Sequence, residues 1–240
     1  MAFLGDGVLV IWNDITAEAE TEFMAWHVLQ HIPERVSIPG FIRGQRYVAL
    51  DGAPKYFNFY ETRDVSVLTS PAYCDRLNNP TEWTRAIVRH FRNTSRTITR
   101  RVASAGHGDG VFIETIKLKA GSDTPTFPRA FAEEVLPALC ESRGIVGAHL
   151  LEGVGEASRL ASAEKAIRNE PDQIADWVVM IEAIEAEHLH AMRRGAASER
   201  AFPGCGIARG SERGIYRLQF ALSKQELEKN PVSGERRWRD

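Results

Sequence analysis

The chain predicts an α+β fold made of two like halves, on three observations. Strand-like and helix-like segments follow the order β-α-β-β-α-β, and that order then recurs. Landmarks keep their spacing: Pro33 to Gly40 and Pro137 to Gly144 are each seven residues apart, and Glu61 and Glu182 lie near the ends of the two third strands. Phe57 and Phe59 alternate with Tyr56 and Tyr60, so both faces of that sheet are apolar and both need cover.

The elements follow in order. GVLVIWNDI (7–15) is apolar and β-branched, a strand. Residues 18–38 carry Phe23, Trp26, Leu29, Ile32 and Val36 at helical spacing, with Pro33 predicted to kink or restart the helix. FIRGQRYVAL (41–50) and KYFNFYET (55–62) are strands joined by a turn containing Asp51-Gly52, a hairpin signal. Residues 65–77 and 81–92 read as helices, punctuated by Ser70-Pro71 and Asn79-Pro80-Thr81, and RTITRRVA (96–103) as a strand. In the second half, GVFIETIKLK (110–119), IVGAHLLEGV (145–154), WVVMIEAI (177–184) and GIYRLQFALS (214–223) are the strands. Helices are predicted over 128–143, ending at Gly144, and over 185–200, with an inserted helix at 157–170.

Each unit is then a ferredoxin-like fold, an antiparallel sheet with helices on one face. Packing the two sheets together covers both apolar faces and predicts a pseudo-dimeric α+β barrel, sheets inside and helices outside. The predicted boundaries are 1–106 for repeat 1, 107–226 for repeat 2 and 227–240 for a C-terminal tail, whose GERRWRD end (234–240) is expected to fray or to cross to a partner subunit.

Composition narrows the function classes. Across 240 residues the hydrophobic fraction is 43% and the charged fraction 26%, as in ordinary globular proteins. A net charge of −2 gives no field toward nucleic acid or an anionic membrane. No apolar run has the length of a membrane span, and the N-terminus has no basic leader region. Cys74, Cys140 and Cys205 are far apart and odd in number, which predicts free thiols in a reducing compartment, the cytoplasm.

His27 and His31 are four apart on the first helix and therefore neighbours on one face. Such a pair can move protons near neutral pH. It can bind a metal if Glu34, Glu61 or His90 supplies a third ligand, although HExxH is absent. It can also be two half-buried residues satisfied by backbone carbonyls or Glu34. Tyr47, Tyr56, Asn58 and Tyr60 lie on the hairpin beneath; alternation puts Tyr56, Asn58 and Tyr60 on one face, and Tyr47 and Arg46 on opposite faces of their strand. From Trp83 to Gly108 there is no acidic residue, and Arg85, Arg89 and Arg92 are spaced to share a helix face, either solvated or holding an anion. His90 falls near the core edge of that helix. His149, His188 and His190 are the second-half candidates for an axial haem ligand, and Gly204-Cys205-Gly206 is a loop.

Trp26-His27, His31, Pro33 and Pro39-Gly40-Phe41 resemble the first-helix signature of the EthD-like and stress-responsive members of the dimeric α+β barrel superfamily, here in a fused tandem form. The motif covers roughly residues 7–62. The second half departs from it, with Val135 and Leu139 near the histidine positions, so one site per chain is expected, in the N-terminal half. The resemblance implies activities as varied as cofactor-free monooxygenases, isomerases, cyclases and haem proteins. The expectation is a cofactor-independent enzyme on a small aromatic or polyketide-like molecule, binding no metal and forming a homodimer or larger. His27, His31 and Tyr60 would be catalytic, and Trp26, Arg46, Tyr47, Asn58 and His90 would hold the substrate. The competing expectations are a binding or stress-related protein without chemistry, and a haem protein.

Overall fold

A computed structural model describes residues 3–118, 127–168, 170–195 and 211–230. Eight antiparallel strands close a barrel: β1 (Gly7–Ile15), β2 (Phe41–Asp51), β3 (Tyr56–Thr62), β4 (Phe91–Gly106), β5 (Phe112–Leu118), β6 (Ile145–Gly153), β7 (Trp177–Ala183) and β8 (Glu212–Ser223). Their order around it is β1-β3-β2-β8-β5-β7-β6-β4. Each half contributes four adjacent strands, and the seams are β2 against β8 and β4 against β6. Closure removes every free sheet edge.

Alternation sorts the side chains. Val8, Val10, Trp12, Phe57, Phe59, Met180 and Tyr216 fill the barrel as one buried cluster. The other side of each strand faces helices. In the first half these are α1 (Glu20–Trp26), α2 (Ile32–Ser37), α3 (Pro71–Asn78) and α4 (Glu82–Val88). In the second they are α5 (Phe127–Ala130), α6 (Leu136–Cys140), α7 (Gly155–Ser158), α8 (Ala163–Arg168) and α9 (Ala186–Arg194). Finally α10 (Lys224–Lys229), opened by a Ser223–Glu226 capping box, follows β8.

Several expectations change. The helix predicted over 81–92 stops at Val88, because Phe91 and Arg92 pair with Ile15 and Asp14 of β1. Strand pairing overrides the helical spacing, and Arg92 leaves the face it was expected to share with Arg85 and Arg89. β4 is 16 residues long and absorbs part of the expected linker, because residues 103–106 pair with β6. The inserted helix is two short ones, α7 and α8. Residues 224–229, of which 227–229 belong to the expected tail, form α10, whose Lys224 Nζ donates to the carbonyls of Val36 and Ser37. Segment 234–240, the Cys205 loop and the end of the helix predicted at 185–200 lie outside the described residues.

Candidate functional site

The site is built on the junction between α1 and α2. Pro33 has no N–H to give the carbonyl of Leu29, and its ring crowds that carbonyl. The helix widens just before it into one π-turn, His27–His31, closed by the Ile32 N–H on the His27 carbonyl. The turn stacks the imidazoles of His27 and His31, centroids 5.4 Å apart and planes 20° apart. Phe23 packs on His27 at 5.2 Å and Trp26 on His31 at 4.3 Å. Trp26 is fixed by its Nε1–H on Thr84 Oγ1, 3.2 Å.

Beneath the helices, β2 and β3 present Arg46, Asn58 and Tyr60. Arg46 lies directly opposite Asn58 in the ladder. Its guanidinium sits 5.8 Å from the Phe23 ring and is 4% exposed. Tyr60 lies edge-on to His31 at 6.3 Å. Arg35, one turn beyond His31, is 2% exposed.

These residues share a property. His27 Nδ1, His31 Nδ1, Arg35 Nη1, Arg46 Nε, Asn58 Oδ1 and Tyr60 Oη are all buried without a hydrogen-bond partner. Buried polar atoms are nearly always paired, so six orphans around one helix–sheet junction set this place apart. The expectation that the histidines are satisfied by backbone carbonyls or Glu34 fails at both Nδ1 atoms. Glu34 instead pairs with Arg76 at 3.0 Å.

Burial pushes the pKa of both histidines well below the ordinary 6.5; Arg46 and Arg35 add to this at His27, as do Arg35 and His27 at His31. Both imidazoles are neutral at neutral pH. Burial also raises the Tyr60 pKa despite Arg35 nearby, which keeps the hydroxyl protonated. Burial lowers that of Arg46. For Arg35 burial pulls downward, but Glu164, Tyr73 and Glu34 outweigh it and the net shift is upward. The site thus holds two neutral bases, a phenolic donor and two guanidiniums.

His31, Arg35 and Tyr60 open onto a cavity of about 50 Å³, walled by Trp26, Leu9, Tyr73 and Arg96. Its cover comes from the second half: Ser162, Glu164, Lys165 and Arg168 of α8 and its approach. Glu164 hydrogen-bonds Arg35. Arg96 donates to Tyr73 Oη, 2.9 Å.

The structure therefore brings together Trp26, His27, His31, Arg46, Asn58 and Tyr60, but not Tyr47 or His90. Tyr47 points into the barrel, against Phe57 and Phe59, and donates to Gln45 at 2.7 Å. His90 sits past the end of α4, with Nδ1 2.9 Å from Thr16 Oγ1 and 3.6 Å from Glu18. Tyr56 binds Glu20 at 2.6 Å. Arg85 and Arg89 are exposed. The third metal ligands considered are elsewhere too: Glu61 is on the barrel side of β3, holding Arg43 and the N–H groups of Leu4 and Gly5. Among the described residues no group of three or more His, Cys, Asp or Glu could hold a metal ion. Of the haem candidates, His149 has Nδ1 on Ser104 and Nε2 on Glu182 inside the barrel, His188 is packed onto Gly144, and His190 lies 3.9 Å from Asp51. Not expected were Arg96, which the sequence places at the start of a strand with no role at the site, and the α8 residues, which carry no local signal.

The second half supplies an internal comparison. Pro137 is again preceded by a π-turn, Phe131–Val135, and Gly40 and Gly144 both have positive φ, 91° and 76°. An offset of 104 along the helix and β2, with the Gly44–Tyr60 and Ala148–Ile181 pairings, matches the strands residue by residue. On this frame His27, His31, Arg35, Arg46, Asn58 and Tyr60 correspond to Phe131, Val135, Leu139, Leu150, Val179 and Ile181, all in one apolar cluster. The residues facing the histidines are thus Phe131 and Val135, in place of the expected Val135 and Leu139.

No protein-family profile matches the chain, and no curated protein does. Solved structures do. An anthrone oxidase-like protein aligns over 91% of this chain and 92% of its own, with 13% identity and a TM-score of 0.59. A candidate monooxygenase from Fusobacterium nucleatum aligns over 92% and 96%, with 9% identity and a TM-score of 0.57. A candidate chlorite dismutase aligns over 90% and 96%, with 12% identity and a TM-score of 0.57. At these identities the likeness is one of fold, an antiparallel barrel of eight strands with helices outside.

Proposed function

We propose that the chain is a cofactor-independent enzyme that removes a proton from a small aromatic or polyketide-like molecule. His31, on the cavity wall, is the base, and His27 behind it relays or tunes. The proton passes from an acidic C–H or O–H to a neutral imidazole, and the charge left on oxygen is held by the Tyr60 hydroxyl and the Arg46 and Arg35 guanidiniums. Isomerisation, cyclisation and O₂-dependent oxidation all begin with this step. The observation that carries the reading is that six orphaned polar groups stand where the other half has hydrocarbon. We also infer that the chain is a fused pair of EthD-like barrel units, from the recurring element order, the matched π-turns and the common register.

The experiment is deuterium incorporation into enolisable ketones and hydroxyaromatics in D₂O, followed by NMR. Catalysed exchange that disappears in His31→Val supports the reading. Exchange at the buffer rate throughout the panel leaves the competing one, a small-molecule-binding protein without chemistry, which the modest cavity and its internal Glu164 closure favour.

A further inference from the structure

Positive charge at the cavity exceeds its local balance. Lys165 and Arg168 share Asp172, at 3.4 and 2.7 Å. Two more guanidiniums, Arg35 and Arg96, line the cavity, and Arg46 is buried nearby without lining it. Arg35 takes Glu164; Arg96 donates to the Tyr73 hydroxyl; Arg46 donates only to the Met24 carbonyl, at 3.4 Å, and among the described residues meets no carboxylate within ion-pair distance. Burying unpaired cations is costly, and a bound anion relieves that cost. Arg35 meets two carboxylates, Glu34 of its own helix at 3.7 Å and Glu164, which accepts its hydrogen bond, and the closer one does not come from the walls. It comes from α8, within the 154–176 connection between β6 and β7, where the corresponding β2–β3 connection is only the turn 52–55. Arg35 is buried and Glu164 partly so, with side-chain exposures of 3% and 13%.

We propose that Glu164 is an internal stand-in for the carboxylate of a small organic acid, which displaces it from Arg35, lies between Arg35 and Tyr60, and moves α8 outward. The acid is the substrate class for the acid–base site proposed above, and the inference rests on that reading for where the reactive carbon lies. A guanidinium fork matches a planar carboxylate, and the unpartnered Tyr60 hydroxyl is a further donor. Size points the same way. The cavity of about 50 Å³ is too small for an aromatic ring, since a cavity that accepts benzene measures ~150 Å³. Entry therefore requires the cover to move. That cover is the six-residue helix α8, held by the Ala163 N–H on Asn78, by the Lys165 ammonium on the Ser158 carbonyl, by the Arg35 pair, by Lys165 and Arg168 on Asp172, and by Ile167 packing against the Trp26 and Ile87 cluster.

The test is calorimetric titration of the intact protein with acetoacetate and salicylate, each against its neutral amide, and with inorganic phosphate. The acids are expected to bind at least about tenfold more tightly than the amides. Glu164→Gln should tighten the acids a further roughly tenfold without changing the amides, and Arg35→Lys should erase the preference. In the wild-type protein, amide hydrogen exchange over 163–168 should speed up when acid is bound, a readout that needs no variant to fold. The proposal is overturned if acids and amides bind alike, if neither acid binds, if only phosphate binds, or if acid binding leaves exchange in α8 unchanged. Acids that bind in this pattern without deuterium exchange into them would remove the acid–base reading and leave this one standing. Catalysed exchange of neutral ketones with no preference for acids would do the reverse.

Discussion

In the second half, Phe131, Val135, Leu139, Leu150, Val179 and Ile181 fill the space between the first helix and its sheet with hydrocarbon. In the first half the same positions hold two imidazoles, two guanidiniums, an amide and a phenol, six of their polar atoms orphaned. The π-turn, the proline after it, the left-handed glycine and the glutamate on the third strand are common to both halves. Those features therefore belong to the architecture, and the polar set does not. The second half also shows how a charge on this side of the sheet is normally accommodated: buried Glu114 is met by Arg193 at 2.5 Å and Arg213 at 2.8 Å. Arg46 has no such arrangement, so its stability cost is tolerated for another reason.

Exchanging residues between the halves tests this contrast. The largest effect is expected from Leu150→Arg, which puts the first-half cation into the second-half core. A buried charge without a partner should cost about 3–5 kcal/mol, read as a lowered urea midpoint. A variant as stable as wild type would mean that the second half has a polar space of its own. In the opposite direction, His31→Val should reduce proton abstraction by about 10²–10⁴-fold without lowering the melting temperature. Tyr60→Phe removes a hydroxyl with no protein partner. It should leave stability within about 1 kcal/mol and slow turnover by about 10²-fold; a larger loss of stability than of rate would make the phenol structural.

The histidines also predict a pH dependence. Their folded-state pKa values lie below the unfolded value of 6.5, so between the two the unfolded chain binds more protons than the folded one. Stability should be flat above that value and fall as the pH drops below it. His27→Phe with His31→Val should flatten this acid limb in a series of melting curves. The smallest effect is expected at Arg85→Gln and Arg89→Gln, on the exposed face of α4 and just beyond it. Stability should stay within about 0.5 kcal/mol and ligand affinity should not change.

Local pattern predicted most of the fold. β1, β3, β6 and β7 are rich in apolar residues, and β2 forms a hairpin with β3 through Asp51-Gly52, so their bounds follow from composition, alternation and turn residues. The start of β4 does not, because Phe91 and Arg92 belong to a strand only through pairing with β1, far away in sequence. The same distinction applies to the site. Helical spacing finds His27 and His31, and alternation places Asn58 and Tyr60 on one face. Alternation also puts Arg46 and Tyr47 on opposite faces, so only one of them can line a site under the helix, and the structure assigns that place to Arg46. Arg96 and Glu164 reach the cavity through contacts between distant segments, and no periodicity encodes such a contact.

The cover of the cavity has a consequence for symmetry. In a barrel closed by two identical chains, every substitution is made twice, so a segment lengthened to roof one site must roof both, and each chain must serve as floor and roof at once. A barrel closed within one chain is free of that constraint. Here the 154–176 connection belongs to the half whose own helix–sheet space is solid, and it reaches across the β4–β6 seam to close the space that is hollow. The polar wall and the segment that roofs it can then diverge separately, which no pair of identical subunits permits.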